Sequence, residues 1–102
     1  MFVITGRRTF SAAQMLVTEL MKYSQATFAG EPTASRGNHF GDSYRIVLPN
    51  SHVTFRVSTL WHQYLDSRDT RAMIEPALRA PLSYADYAAG RDPALAAIVG
   101  AR

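Results

Sequence analysis

Ser11 lies in the stretch Thr9-Phe10-Ser11-Ala12-Ala13-Gln14. The apolar run Met1-Phe2-Val3-Ile4-Thr5 comes before it, and Gly6-Arg7-Arg8 breaks that run. A helical pattern follows, from Ser11 to about Tyr23. The serine therefore falls where a strand ends and a helix begins. A hydroxyl there is presented at a sheet edge, and the first unpaired N–H groups of the helix face any negative charge that develops beside it. That is the chemistry of a nucleophile attacking a carbonyl. A helix cap asks for the same residue type at the same place, with Thr9 as an alternative cap. Both readings stand at this level.

Nucleophilic serine needs a base. Lys22 is the only lysine among eleven Lys and Arg residues. It lies eleven residues along the same helix, roughly 16 Å away at about 1.5 Å per residue. It is out of reach. Of the three histidines, His39 is nearest in pattern, in the polar loop that follows the first strand–helix–strand unit. His39 is the base candidate. His52 falls in a turn and His62 beyond a strand, and both read as structural or solvated. The histidines and acids are scattered without the i, i+4 spacing of a metal site, so neither metal nor cofactor is expected. No glycine-rich phosphate loop is present.

The elements that would position Ser11 are legible. Met1 to Thr5 is apolar throughout, as in a strand buried on both sheet faces. Ala12, Ala13, Leu16, Val17, Leu20 and Met21 form one apolar helix face, with Gln14, Thr18, Glu19 and Lys22 mostly opposite. Ala26 to Ala29 reads as a second strand ended by Gly30. Such a unit predicts parallel strands with a right-handed crossover. Glu31 to Asp42 reads as a loop. Tyr44–Leu48 and Val53–Ser58 read as strands around the Pro49-Asn50-Ser51-His52 turn, with Val53, Phe55 and Val57 inward. Asp66 to Arg71 is a charged loop. Ser83 with Asp86 starts a short helix ended by Gly90, and Asp92-Pro93 caps a final helix over 94–99.

Bulk properties set the frame. At 102 residues the chain is one small domain or a piece of one, and 47% hydrophobic residues suffice for a core. Cysteine is absent, which excludes a disulfide scaffold and thiolate metal ligation. No apolar run approaches the roughly 20 residues of a membrane span, and no signal peptide is visible. The net charge is +3. The arginines are interleaved with acids from Arg7 to Arg102, rather than clustered with aromatic platforms, which argues against a nucleic-acid surface. An apolar first strand with an open edge predicts a homo-oligomer assembled through exposed strand edges.

Three motifs stand in order: T-F-S-A-A-Q, then G-E-P-T-A-S-R-G at 30–37, then L-P-N-S at 48–51. I-E-P at 74–76 and G-R-D-P-A-L at 90–95 follow. Together these resemble the C-terminal part of the catalytic domain of the tail-specific, or C-terminal-processing, serine peptidases (serine peptidase family 41). The resemblance covers nearly the whole chain. It implies an α/β fold: a partial Clp-protease/crotonase-like core with a strand–helix–strand unit, a β-hairpin and short C-terminal helices. It also implies that residues 1–102 form the C-terminal portion of a larger domain, in an extracytoplasmic setting, acting on peptide or protein substrates.

By that resemblance Ser11 is the nucleophile and the Ala12 backbone N–H an oxyanion donor. The family's best-known base is a lysine in G-E-x-T-x-G-K-G. Here that position holds Arg36. Arginine stays protonated in proteins, so Arg36 can bind substrate charge but cannot be the base. The chain alone is therefore expected to be inactive. The family also contains a relative that carries ligand instead of cleaving peptides, so a binding or assembly module on the same fold is the alternative.

Overall fold

The computed structural model describes residues 1–101. Its elements are β1 (Phe2–Thr5), α1 (Ala12–Tyr23), β2 (Thr27–Gly30), β3 (His39–Val47), β4 (Thr54–His62), β5 (Leu78–Arg79), α2 (Tyr84–Ala88) and α3 (Pro93–Gly100). Helices and strands are mixed, as expected of the α/β class. One sheet runs β1-β2-β5 and is parallel throughout; the other is the antiparallel β3-β4 hairpin. The parallel pairing of β1 with β2 agrees with the strand–helix–strand reading.

The small core lies between α1 and the parallel sheet. Val17, Phe28 and Ile74 form it, with Val3, Leu20, Met21 and Ala26 packed around them. Val3 and Phe28 are cross-strand partners. Ala29, the next residue, is turned to the other face, where α3 packs and buries Ala94 and Ile98. Gly30 lies at φ 112°, and a Cβ there would run into the Thr5 carbonyl oxygen. Only glycine fits so close to β1.

Two burial expectations need correction. β1 is not buried on both faces. It is an edge strand, with Val3 and Thr5 turned inward while Phe2 and Ile4 stay exposed. In α1 the buried residues are Gln14, Val17 and Thr18, and Leu16 is exposed. The helix turns this side toward the segment after β2. There Gly37 passes under the Leu65 side chain, which a Cβ at 37 would displace, with the Thr18 methyl group in ordinary contact. The Thr18 hydroxyl donates to the Gln14 main-chain carbonyl at 2.9 Å and accepts from the Gln14 side-chain amide at 3.4 Å, while Gln14 Oε1 is buried without a partner.

The hairpin is longer than its sequence pattern suggests. β3 reaches back to His39, inside the expected loop, and β4 extends to His62. Val53, Phe55 and Val57 share a face, yet they are exposed, because no element packs on the hairpin. Hence the molecule measures 58 × 36 × 18 Å with a radius of gyration of 17.3 Å. A compact chain of this size has about 13 Å. The C-terminal elements follow their caps: Ser83 accepts from the Asp86 N–H, and Asp92 from the Leu95 N–H at 2.9 Å. β5, only two residues long, has no pattern of its own in the sequence. No described helix is long and apolar enough to cross a membrane.

Candidate active site

Ser11 is held at φ 56°, ψ −124°. A non-glycine residue in this region carries strain of roughly 1–3 kcal/mol and persists only where its surroundings impose it. The side chain is exposed and makes no capping hydrogen bond. The cap reading therefore fails for Ser11. It fails for Thr9 too, whose Oγ1 accepts the Gly6 N–H at 3.0 Å, in the turn before the helix. The Ser11 carbonyl does begin the helix, accepting the Met15 N–H at 3.0 Å. The Ala12 N–H has no acceptor among the described residues. It is one of the open donors of a helix start, beside the hydroxyl.

The G-E-P-T loop holds this turn in place. Glu31 N–H donates to the Thr5 carbonyl at 3.0 Å, and Thr5 Oγ1 donates to the Glu31 carbonyl at 2.8 Å. Arg7 reaches Glu31 at 2.9 Å. The hydrogen bond from the Arg7 guanidinium holds the Glu31 carboxyl below the usual carboxylate range, against the opposing effect of desolvation. Thr33 exchanges main-chain hydrogen bonding with Ile74: Thr33 N–H donates to the Ile74 carbonyl, and Thr33 Oγ1 accepts the Ile74 N–H. Three of the sequence motifs thus meet through their backbones.

The hydroxyl of Ser11 opens onto a cleft of about 340 Å³. Ser35, His39, Asp42, Ser58 and His62 line it, with Phe10 and Met15 on the apolar side. His39 and His62 are cross-strand partners at the base of the hairpin, with ring centroids 5.4 Å apart. His39 Nδ1 lies 3.2 Å from the Gly37 carbonyl oxygen. A carbonyl can only accept, so Nδ1 carries the hydrogen, and Nε2 of the neutral ring is left to accept a proton. His62 Nε2 lies 3.0 Å from Asp42 Oδ2. Gly41 makes room for that ring: a Cβ there would lie 2.7 Å from His62 Cδ2. No hydrogen bond joins Ser11 to either ring; His39 Nδ1 and His62 Nε2 are engaged elsewhere, and His39 Nε2 has no partner among the described residues.

Of the residues singled out in the sequence, Ser11 and His39 line one cleft, and Ala12 follows Ser11 at the helix start. His62 is corrected: it is a cleft residue oriented by a carboxylate, not a bystander beyond the strand. Counting outward from the middle of the Pro49–His52 turn pairs His39 with His62, so the signal was present. Arg36 lies on an adjoining cleft with Trp61 and Ala72, sharing Ser35, His39 and Phe40 with the first. Asn38 was missed altogether. It is buried, accepts the Tyr64 and Leu65 N–H groups at 2.9 and 2.8 Å, and donates to the Asp66 carbonyl at 2.8 Å. It fixes the chain on either side of the histidine pair. A roomier cleft, about 490 Å³, lies between Arg7, Glu31, Met73 and Arg79; its one hydroxyl, that of Thr33, is bonded to the Ile74 N–H and the Ser35 carbonyl.

Comparison with protein-family models gives no match, and comparison with curated proteins gives no significant one.

Proposed function

We propose that this chain carries the nucleophile of a serine peptidase site of the tail-specific kind, on a partial Clp-protease/crotonase-like core, as the C-terminal portion of a larger catalytic domain. The observation that carries the reading is the Ser11 backbone at φ 56°, with a hydroxyl committed to no cap. Strain of this kind, beside an open helix N–H and facing two histidines, suits attack on a carbonyl better than it suits folding. In this reading Ser11 Oγ attacks the peptide carbonyl and its proton passes to His39 Nε2. The Ala12 N–H takes the oxyanion, and the proton then moves to the departing amine. Water releases the acyl group. Arg36, on the adjoining cleft, takes negative charge of the bound peptide.

A non-catalytic binding or assembly module is the second reading, favoured by the hairpin's large exposed apolar face. A fluorophosphonate probe separates the two. Labelling at Ser11 that is lost in Ser11→Ala and reduced in His39→Gln supports the peptidase site. No labelling of the folded chain from pH 6 to 9 rejects it in favour of the module.

A further inference from the structure

The β3-β4 hairpin separates its side chains by chemistry. On one face, Phe40 opposes Trp61, Tyr44 opposes Val57, and Ile46 opposes Phe55. All six are 40 to 71% exposed. The opposite face is mixed: it carries His39, His62, Ser43 and Ser58, with Arg45 directly across from Arg56, and the exposed Leu60 and Val47 among them. Neither arginine has a carboxylate partner among the described residues.

We infer that the apolar face is the seat of a second copy of this chain, packed face to face about a two-fold axis. Area supports this occupant. Six such side chains at these exposures, with Leu48 and Val53 continuing the face, offer roughly 600–800 Å² per copy, close to the ~800 Å² per partner of a stable complex. Charge selects the face. Over the 44/57, 46/55 and 48/53 positions the apolar side buries no ion when stacked on itself, Arg36 lying at its Phe40–Trp61 end and Asp42 reaching His62 instead, whereas the other side would set arginines against arginines. The pattern is also self-complementary: each aromatic ring sits across from an aliphatic residue at the 44/57 and 46/55 positions, so a two-fold mate can lay ring over aliphatic. A two-stranded hairpin alone is marginal in water, and a mate stacked about 10 Å away gives it the second layer it lacks. Because the histidines share these strands, the mate also steadies the Ser11 cleft. The inference is independent of any reaction at Ser11.

The test uses the absence of cysteine from the chain. Val57→Cys is on the proposed interface and Ser58→Cys is on the opposite face. Under mild oxidation the 102-residue Val57→Cys chain is expected to crosslink to a dimer rapidly, and Ser58→Cys at least tenfold more slowly. Sedimentation of the cysteine-free chain from 1 to 100 μM should show a dimer, and Tyr44→Glu should shift it to monomer while the circular dichroism is retained. If Tyr44→Glu fails to fold, the crosslinking pair alone decides. A monomer throughout overturns the inference, whether or not it binds vesicles of anionic phospholipid. So does a dimer in which Ser58→Cys crosslinks as fast as Val57→Cys, or one in which neither does, since the interface then lies elsewhere, such as the outer edge of β1.

Discussion

The Thr9 carbonyl oxygen accepts the Ala34 N–H at 3.0 Å. This bond fastens the G-E-P-T-A loop to the turn that bends into Ser11, two residues before the strained position. Together with the Thr5–Glu31 bonds it explains how a small molecule imposes φ 56° on a serine. The strain is carried by a backbone clamp, not by the serine's own contacts.

Substitution at Ser11 should read out that strain. With no cap bond to lose, Ser11→Ala is expected to leave thermal stability nearly unchanged, where loss of a capping serine costs about 1 kcal/mol. Ser11→Gly should stabilise by about 1 kcal/mol, because glycine occupies positive φ without a Cβ clash. Denaturant unfolding of the three chains checks this. A clear loss in Ser11→Ala would restore the capping role.

The clamp should also respond to acid. The folded Glu31 carboxyl is held below its ordinary value, first by the Arg7 hydrogen bond. Its stabilisation is therefore complete above the unfolded pKa of about 4.3 and is lost as pH falls through the lower folded one. Asp66, Asp69 and Asp86 are depressed too, the first two chiefly by Arg68 and Arg71, Asp86 chiefly by the Ser83 hydroxyl and then Arg91. They add to the same trend. Melting temperature measured from pH 7 to pH 3 should fall below about pH 4, and Glu31→Gln should melt lower at pH 7 and lose less on acidification. An unchanged slope in Glu31→Gln would mean that the Arg7 bond contributes nothing.

Asn38 should be the most sensitive polar residue. Asn38→Ala leaves the half-buried Tyr64 and Leu65 N–H groups and the Asp66 carbonyl without their partner. The expected cost is about 2–3 kcal/mol. Because Asn38 adjoins His39, the histidine resonances should also shift. Both are measurable, by denaturant unfolding and by proton–nitrogen correlation spectra of the rings.

The elements whose signals are local were legible in the sequence. The caps at Ser83 and Asp92, the Pro49–His52 turn and the β1-α1-β2 unit depend on neighbours a few residues away. Burial was read less well, because it depends on partners distant in the chain. Leu16 has the right spacing for a core face, but α1 turns Gln14 and Thr18 toward the Gly37 segment instead. Ser11 was legible as a junction residue. Its backbone angle was not, since it arises from bonds to Ala34 and Glu31, more than twenty residues on. His62 and Asp42 needed the hairpin register carried to its base.

Turnover is the last expectation. In the proposed site Ser11, a histidine and one N–H donor share the cleft, yet the base position of the resembled motif holds Arg36, which cannot accept a proton. One oxyanion donor is worth roughly 10²–10³ in rate and general base catalysis about 10²–10⁴. A site with a single donor and no formed serine–histidine hydrogen bond forfeits much of both. The 102-residue chain should therefore react once with a fluorophosphonate but cleave an unstructured peptide too slowly to detect over a day. Arg36→Lys should not start turnover, because residue 36 faces the adjoining cleft rather than the one that contains Ser11. Mass spectrometry of the peptide pool, with Ser11→Ala as the blank, measures both. Ser11-dependent cleavage by the unmodified chain would show that His39, or His62 with Asp42, already completes the site.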